Sequence, residues 1–211
     1  MAQRDDSPFT GTDVEIVEQR TVYKGFLRVD EYRLRHRRFD GGWTPVLSRE
    51  LMERGHAVCA ALYDPARDAV VLIEQFRIGA HAAGSAPWMV ECVAGMFRRG
   101  EDPAEVMRRE IAEETGLETR ALVHIGRASA SPGGSSETVE MFAAHVDSTA
   151  ARGVHGLAHE GEDIRVFAEP FDDAFASFFD GRRLASSFTL MTLQWLALNR
   201  ARLKAEWETL R

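Results

Sequence analysis

Cysteine is scarce in this chain, with two residues, Cys59 and Cys92, among 211. Both lie in apolar runs, AVCAAL and WMVECVAG, and lack the spacing of a metal ligand set or a redox pair. A disulfide framework is therefore not expected, and the two read as buried thiols. Long hydrophobic runs are missing too. No stretch reaches the roughly 18 apolar residues of a membrane span, and the polar opening MAQRDDSPFTGTD does not read as a secretion signal. A cytoplasmic protein with no membrane partner is the expectation. Positive charge is in deficit: 26 Lys and Arg face 33 Asp and Glu, for a net charge of −7. That balance argues against nucleic acid or an anionic membrane surface as a partner. An anionic substrate would need metal ions and a local group of arginines to enter. Internal repeats and low-complexity tracts are absent as well.

What is present is enough apolar content, 45%, for one sizeable core with a small appended lobe. Residues 14–20 and 28–38 are strand-like, and the turn Asp40-Gly41-Gly42 leads into a third run over residues 43–52. This predicts a small antiparallel β lobe over residues 1–53, too thin to bury much surface alone. Residues 54–211 form the main domain. It opens with an apolar hairpin, residues 56–63 and 69–77, and continues with a short apolar run at 88–93. Strand candidates follow at 121–128, 137–146 and 164–168, the first two separated by the loop SPGGSS, whose small residues let backbone amides approach an anion. A helix opens at Pro170 with Phe171, Phe175 and Phe178 on one face, and a last helix covers residues 187–207. The fold class expected is α/β of the α+β type: a mixed β-sheet sandwiched between helices, with the antiparallel lobe in front.

The most informative stretch is residues 95–117, GMFRRGEDPAEVMRREIAEETGL. Gly95 and Gly100 read as a flexible entry, Pro103 suits the first helical position, and Gly116 suits a left-handed C-terminal cap. At about 100° per residue, Glu110, Glu113 and Glu114 share one arc of this helix. Like charges at that spacing repel, so a cation is expected on the arc. Hard divalent ions such as magnesium take carboxylate oxygens and bridge them to phosphates. Glu101, in the preceding loop, can fold back to the same place, while Val106, Met107 and Ile111 flank the acids on the side facing a core.

Gly95, then five residues, Glu101, seven residues, Arg109-Glu110-Ile111, one residue, Glu113-Glu114, one residue and Gly116-Leu117 match the Nudix box at all nine fixed positions across 23 residues. On that match the chain resembles the Nudix hydrolases. Pro132, sixteen residues beyond Gly116, and the segments RGHA, EQFR, ASPGG and HEGEDIRV look like those of bacterial ADP-ribose pyrophosphatases, over most of the chain. The resemblance implies hydrolysis of ADP-ribose to AMP and ribose 5-phosphate. It implies that the main-chain carbonyl of Ala94 with Glu110, Glu114 and Glu162 binds magnesium, or manganese in its place, with two or three ions per site. Glu160 matches the catalytic base, and Glu113 either contributes or pairs with Arg109. Arg77 and Arg54 match positions that hold the phosphates or terminal ribose, as guanidinium forks do well. Arg49 and Glu50 look like adenine neighbours reached across a homodimer with exchanged lobes. Phe26 offers a stacking face, and Leu27 stands where close relatives carry a second aromatic. Met96, Ser131, Pro132, Gly133 and Glu137 complete the implied pocket.

Read without the resemblance, Arg77 is a solvated strand residue, Phe26 an anchor of the lobe, and Arg98 and Arg99 a solvated loop pair. His155, His159, Glu160 and Glu162 invite a zinc reading but have no established ligand spacing. Two alternatives to ADP-ribose hydrolysis stand beside it. One is cleavage of another nucleoside diphosphate sugar, such as GDP-mannose. The other is a non-catalytic regulator that binds a nucleotide sugar, which the intact box and the lack of a basic domain disfavour.

Overall fold

The structure, a computed structural model, describes residues 8–98 and 100–209. The loop arginine Arg99 and the side chain of Glu160 lie outside the described set. The chain divides into two compact units. The first joins the amino-terminal segment up to Arg54 to Ser129–Glu137, and the second contains the rest.

In the first unit β1 (Val14–Lys24), β2 (Arg28–His36) and β3 (Leu47–Glu53) form a three-stranded antiparallel sheet in sequence order. β1 runs past the expected residue 20 because β2 turns back immediately and pairs Lys24 with Arg28. β3 begins later than expected. Trp43 sits under the guanidinium groups of Arg35 and Arg37 instead, at 5.2 and 4.4 Å, and Pro45 has no N–H to give a ladder. Among its described residues this unit buries no apolar side chain. What it buries is Asp30, Ser135 and Glu137. Asp30 is satisfied by Thr21 Oγ1 at 2.7 Å, Arg28 Nε at 3.1 Å and Gln19 Nε2 at 3.2 Å, and cross-strand pairs such as Arg35 with Glu15 line the sheet surface. The segment 129–137 joins it through the Met52 N–H, which donates to the Gly134 carbonyl at 2.8 Å, and a parallel bridge from Met52 to Ser135.

The second unit has the reverse character. Its strands are β4 (His56–Asp64), β5 (Ala69–Phe76), β6 (Trp88–Glu91), β7 (Val93–Phe97), β8 (Ala121–Ser129), β9 (Thr138–His145), β10 (Arg152–His155) and β11 (Ile164–Pro170). Its helices are α1 (Ile78–Ala82), α2 (Pro103–Thr115), α3 (Phe171–Phe179) and α4 (Ser187–Trp207). The sheet order is β10-β11-β5-β4-β9-β8, mixed because β4 and β9 run parallel. β4 and β5 pair only next to their turn, over Leu62–Asp64 and Ala69–Val71. Beyond it they part, β6 pairing with β5 and β7 with β4. The apolar run expected at 88–93 is therefore two strands, broken at Cys92 where the chain crosses from one partner to the other.

Side chains alternate across the sheet. Val58, Ala60, Leu62, Val71 and Ile73 pack with Val106, Met107 and Ile111 of α2. Cys59, Ala61, Tyr63, Val70 and Leu72 pack with Phe171, Ala174 and Phe178 of α3 and Leu193, Leu196 and Leu203 of α4. Helices thus cover both faces, and both cysteines are buried free thiols. The short α1 and β10 carry too few residues to leave a periodic signal. Among the described residues no helix is long and apolar enough to cross a membrane.

α4 is tied to the β4–β5 turn by charge. Arg200 Nε donates to Asp68 Oδ1 at 2.7 Å, Tyr63 Oη donates to the same oxygen at 2.7 Å, and Arg200 also reaches Asp172 on α3. Asp68 has a left-handed backbone, φ 54°. The Arg200 guanidinium holds its carboxyl down to about 2. A depressed folded-state pKa gives stability that is present above the unfolded value near 4 and is lost as pH falls towards 2. Arg200→Met is expected to destabilise the fold by about 1–3 kcal/mol. The difference in melting temperature from the parent should hold between pH 8 and 5 and shrink below pH 4; a gap that persists undiminished at pH 3 would contradict this account.

Candidate active site

α2 forms where its ends dictate. Asp102 Oδ1 accepts from the Ala104 N–H at 2.8 Å, Pro103 occupies the first turn, and Gly116 closes the helix with φ 69° while its N–H donates to the Ala112 carbonyl at 2.9 Å. His155 of β10 lies so close that a Cβ on Gly116 would sit 3.0 Å from its ring. With Val106, Met107 and Ile111 pressed into the core, the helix has no rotational choice, and Glu110 and Glu114 are turned towards β7.

There the fit is tight. Glu114 is 3% exposed, and its Oε2 faces the Ala94 N–H at 3.4 Å. A Cβ on Gly95 would fall 2.1 Å from Glu110 Cδ. Gly95 is thus required for space inside β7, not for flexibility at a loop entry, which corrects the sequence reading. Glu162, on the segment before β11, contributes its negative charge to the same place. Its Oε2 accepts from the Leu157 N–H at 2.9 Å, and Gly156, at φ 100°, leaves room for it where a Cβ would come within 2.7 Å of Glu162 Cβ. Burial, with like charge from Glu110 and Glu162, pushes the Glu114 carboxyl up to about 8. Burial also raises Glu110, against the pull of the Arg109 guanidinium.

Arg109 bonds Glu110 through Nη2 at 3.3 Å and lies 3.7 Å from Glu101. Its ion-pair partners are therefore these two acids, and among the described contacts Glu113 is not one of them. Glu101 also accepts the Arg98 N–H at 2.6 Å, which folds the loop back onto the helix. Arg77, just past β5, donates from Nε to Glu91 Oε2 at 2.7 Å and lies near enough to Glu114 to oppose its rise. Met96 is exposed on β7. Glu160 closes a short 3-10 turn (Ala158–Glu160) before Gly161, at φ 75°. Among the described residues no three acidic, histidine or cysteine groups already stand close enough to hold a metal ion.

In the first unit Arg54 Nε and Glu137 Oε1 approach to 3.5 Å. Ser131, Pro132 and Gly133 form an exposed turn closed by the Gly134 and Ser135 N–H groups donating to the Ser131 carbonyl at 3.0 and 2.9 Å. Phe26 is 92% exposed at the β1–β2 turn, beside half-buried Leu27. Arg49 and Glu50 are exposed neighbours on β3. Sequence reasoning missed Glu91, although an acid inside the apolar run WMVEC is a readable anomaly.

The model of the NUDIX domain matches residues 53–186. The chain is 43% identical over 209 residues to the ADP-ribose pyrophosphatase of Escherichia coli (strain K12), covering 98% of this chain and 100% of that protein. It is 34% identical over 182 residues to the GDP-mannose pyrophosphatase of Pectobacterium atrosepticum, covering 86% of this chain and 92% of the other. A solved structure described as an ADP compounds hydrolase superposes with a TM-score of 0.68 at 18% identity, covering 92% of this chain and 96% of that one, and so shares the fold. The carboxylates gathered by α2 and β7 lie within the matched domain, and the chain belongs to the Nudix hydrolase family.

Proposed function

We infer that this protein hydrolyses the pyrophosphate of ADP-ribose to AMP and ribose 5-phosphate with the help of a divalent cation. The observation that carries the chemistry is the pairing of Glu110 and Glu114 beside Gly95. Two carboxylates are desolvated together, and Glu114 has only an amide N–H as hydrogen-bond partner among the described residues. Such a set becomes stable as charged groups only when a cation neutralises it. The missing Cβ of Gly95 keeps that space open, and the oxygen-only donor set suits a hard ion. The choice of ADP-ribose is supported by the near-complete overlap with the Escherichia coli enzyme.

The Ala94 carbonyl, Glu110, Glu114 and Glu162 are the residues we assign to hold magnesium. When bound, such ions neutralise the pyrophosphate oxygens and make water a stronger nucleophile. Glu160 accepts the proton of the attacking water as the new phosphorus–oxygen bond forms and the bridging oxygen leaves with the other phosphate. Arg109 restrains Glu110, so its part is to orient a ligand. Arg77 and Met96 in the second unit, and Phe26, Leu27, Arg49, Glu50, Arg54, Glu137 and the Ser131, Pro132, Gly133 turn in the first, are assigned to the substrate. Chemistry of this type rests on positioning and charge neutralisation.

In metal-free protein a protonated Glu114 is nearly isosteric with glutamine. Glu114→Gln is therefore expected to melt no lower than the parent in chelator while losing activity by on the order of 100-fold or more. Parallel losses of melting temperature and turnover would contradict the assignment.

A second substrate class is favoured by the similarity to a GDP-mannose pyrophosphatase. ADP-ribose, GDP-mannose and a dinucleoside polyphosphate, each assayed with magnesium and with chelator, separate the readings. Metal-dependent release of AMP and ribose 5-phosphate is expected from the first, with little turnover of the others. Preferential turnover of GDP-mannose would overturn the substrate assignment.

We also propose a homodimer with exchanged amino-terminal lobes. A sheet that buries no apolar side chain, with Ile16, Val17, Val22 and Tyr23 of β1 exposed, gains its stability from a second surface. Sedimentation at micromolar concentration should give twice the chain mass; an active monomer would refute it.

A further inference from the structure

We propose that Glu91 is a positioning residue for substrate, one that acts by holding the guanidinium of Arg77 from behind. The inference rests on the assignment of Arg77 to the substrate and deepens it. The topology brings the two side chains to one face. Glu91 pairs with Ile73 across β5 and β6, and cross-strand partners point to the same side. Ile73 packs in the core layer shared with Val106, Met107 and Ile111 of α2, so Glu91 faces the α2 side, the side that carries Glu110 and Glu114. Arg77 stands two residues beyond Gln75 and four beyond Ile73, in the same phase of the strand, with its N–H donating to the Pro87 carbonyl at 2.7 Å.

Glu91 is 6% exposed. A carboxylate at that depth needs a partner, and its hydrogen-bond partner among the described residues is Arg77, through Nε alone at 2.7 Å. This is the end of the guanidinium nearest the stem. The two terminal Nη groups make no hydrogen bond among the described residues, and they are the pair that forms a fork to phosphate oxygens. A carboxylate that occupied the fork would compete with an anionic substrate. One that takes Nε fixes the plane of the group and leaves the fork to the ligand. Arg77 itself is half-buried at the start of α1 and has a long side chain whose freedom would otherwise be lost on each binding event.

The expected signature is a change in KM without a matching change in kcat, because an arginine held ready for phosphate binds ground state and transition state alike. The experiment compares Arg77→Met, Glu91→Gln, Glu91→Ala and the double variant Arg77→Met with Glu91→Ala, using ADP-ribose and magnesium, with thermal melts of each. Arg77→Met and Glu91→Ala should each raise KM by on the order of tenfold with kcat kept within about twofold. Glu91→Gln, which retains an acceptor for Nε, should recover most of the loss seen in Glu91→Ala. In the Arg77→Met background, removing the Glu91 charge should add nothing to KM. That double variant also relieves the uncompensated buried carboxylate, so it remains folded where Arg77→Met alone loses stability. If Arg77→Met raises KM and Glu91→Ala does not, or if the two effects multiply in the double variant, the proposal falls while the role of Arg77 stands. If Arg77→Met leaves KM unchanged, the assignment of Arg77 falls and takes the proposal with it.

Discussion

The constraint on which the site depends is repulsion between carboxylates that packing shields from water. Glu110 and Glu114 lie one helical turn apart, which is unfavourable even on a solvated helix, and here both are desolvated against β7. The fold accepts this because everything around them is already determined. α2 is pinned by its caps and by three buried apolar side chains, and β7 is pinned by pairing with β4 from His56 to Ala60. The acids cannot swing out without unpacking the helix, so the repulsion persists, and it is this that the proposed cation would relieve.

The splayed β4–β5 hairpin creates the room. Had the two strands stayed paired along their lengths, β6 and β7 would have no edge to join, and neither the Ala94 N–H nor the Glu91 carboxylate would stand where it does. The crossing at Cys92 therefore gives the second unit two strand ends, one bearing the backbone that meets Glu114 and the other the acid that meets Arg77. Among its described residues the first unit lacks such a core. It is held by ladder hydrogen bonds and by side-chain contacts around Asp30, which leaves its apolar residues, Phe26 above all, outside.

Legibility followed locality. The α2 helix could be read in full because its caps, its apolar stripe and its acids all lie within 23 consecutive residues, and helix periodicity is a short-range signal. α4 was legible as one long run without Gly or Pro, apolar over its first half and charged over its second. The role of Gly95 was not, because the atom that forbids a side chain there belongs to Glu110, fifteen positions on, and is reached only once strand and helix pack. Which of the two options open to Glu113 holds was not legible either: helical spacing places it four residues from Arg109, but among the described contacts Arg109 pairs with Glu110 and with Glu101, which the loop delivers. The link of Ser129–Glu137 to the rest of the first unit rests on one backbone hydrogen bond, one bridge and the approach of Arg54 to Glu137, interactions that no residue pattern announces. The short α1 and β10 fell below the length at which periodicity can speak.

The net charge of −7 opposes the approach of a doubly anionic substrate. The resolution is that the arginines assigned to it are not sources of net charge. Arg77 is matched by Glu91 and Arg54 by Glu137, each acid nearly buried, so each pair is close to neutral at a distance. On the proposed assignment, attraction over distance would come from bound cations, which would have to overcome the deficit created by Glu110, Glu114 and Glu162. The arginines act at short range, where direction matters more than charge. A guanidinium whose stem is already bonded presents its remaining donors at a fixed angle, and on the proposed assignment this geometry would favour a correctly seated pyrophosphate over any other anion that metal ions alone would attract.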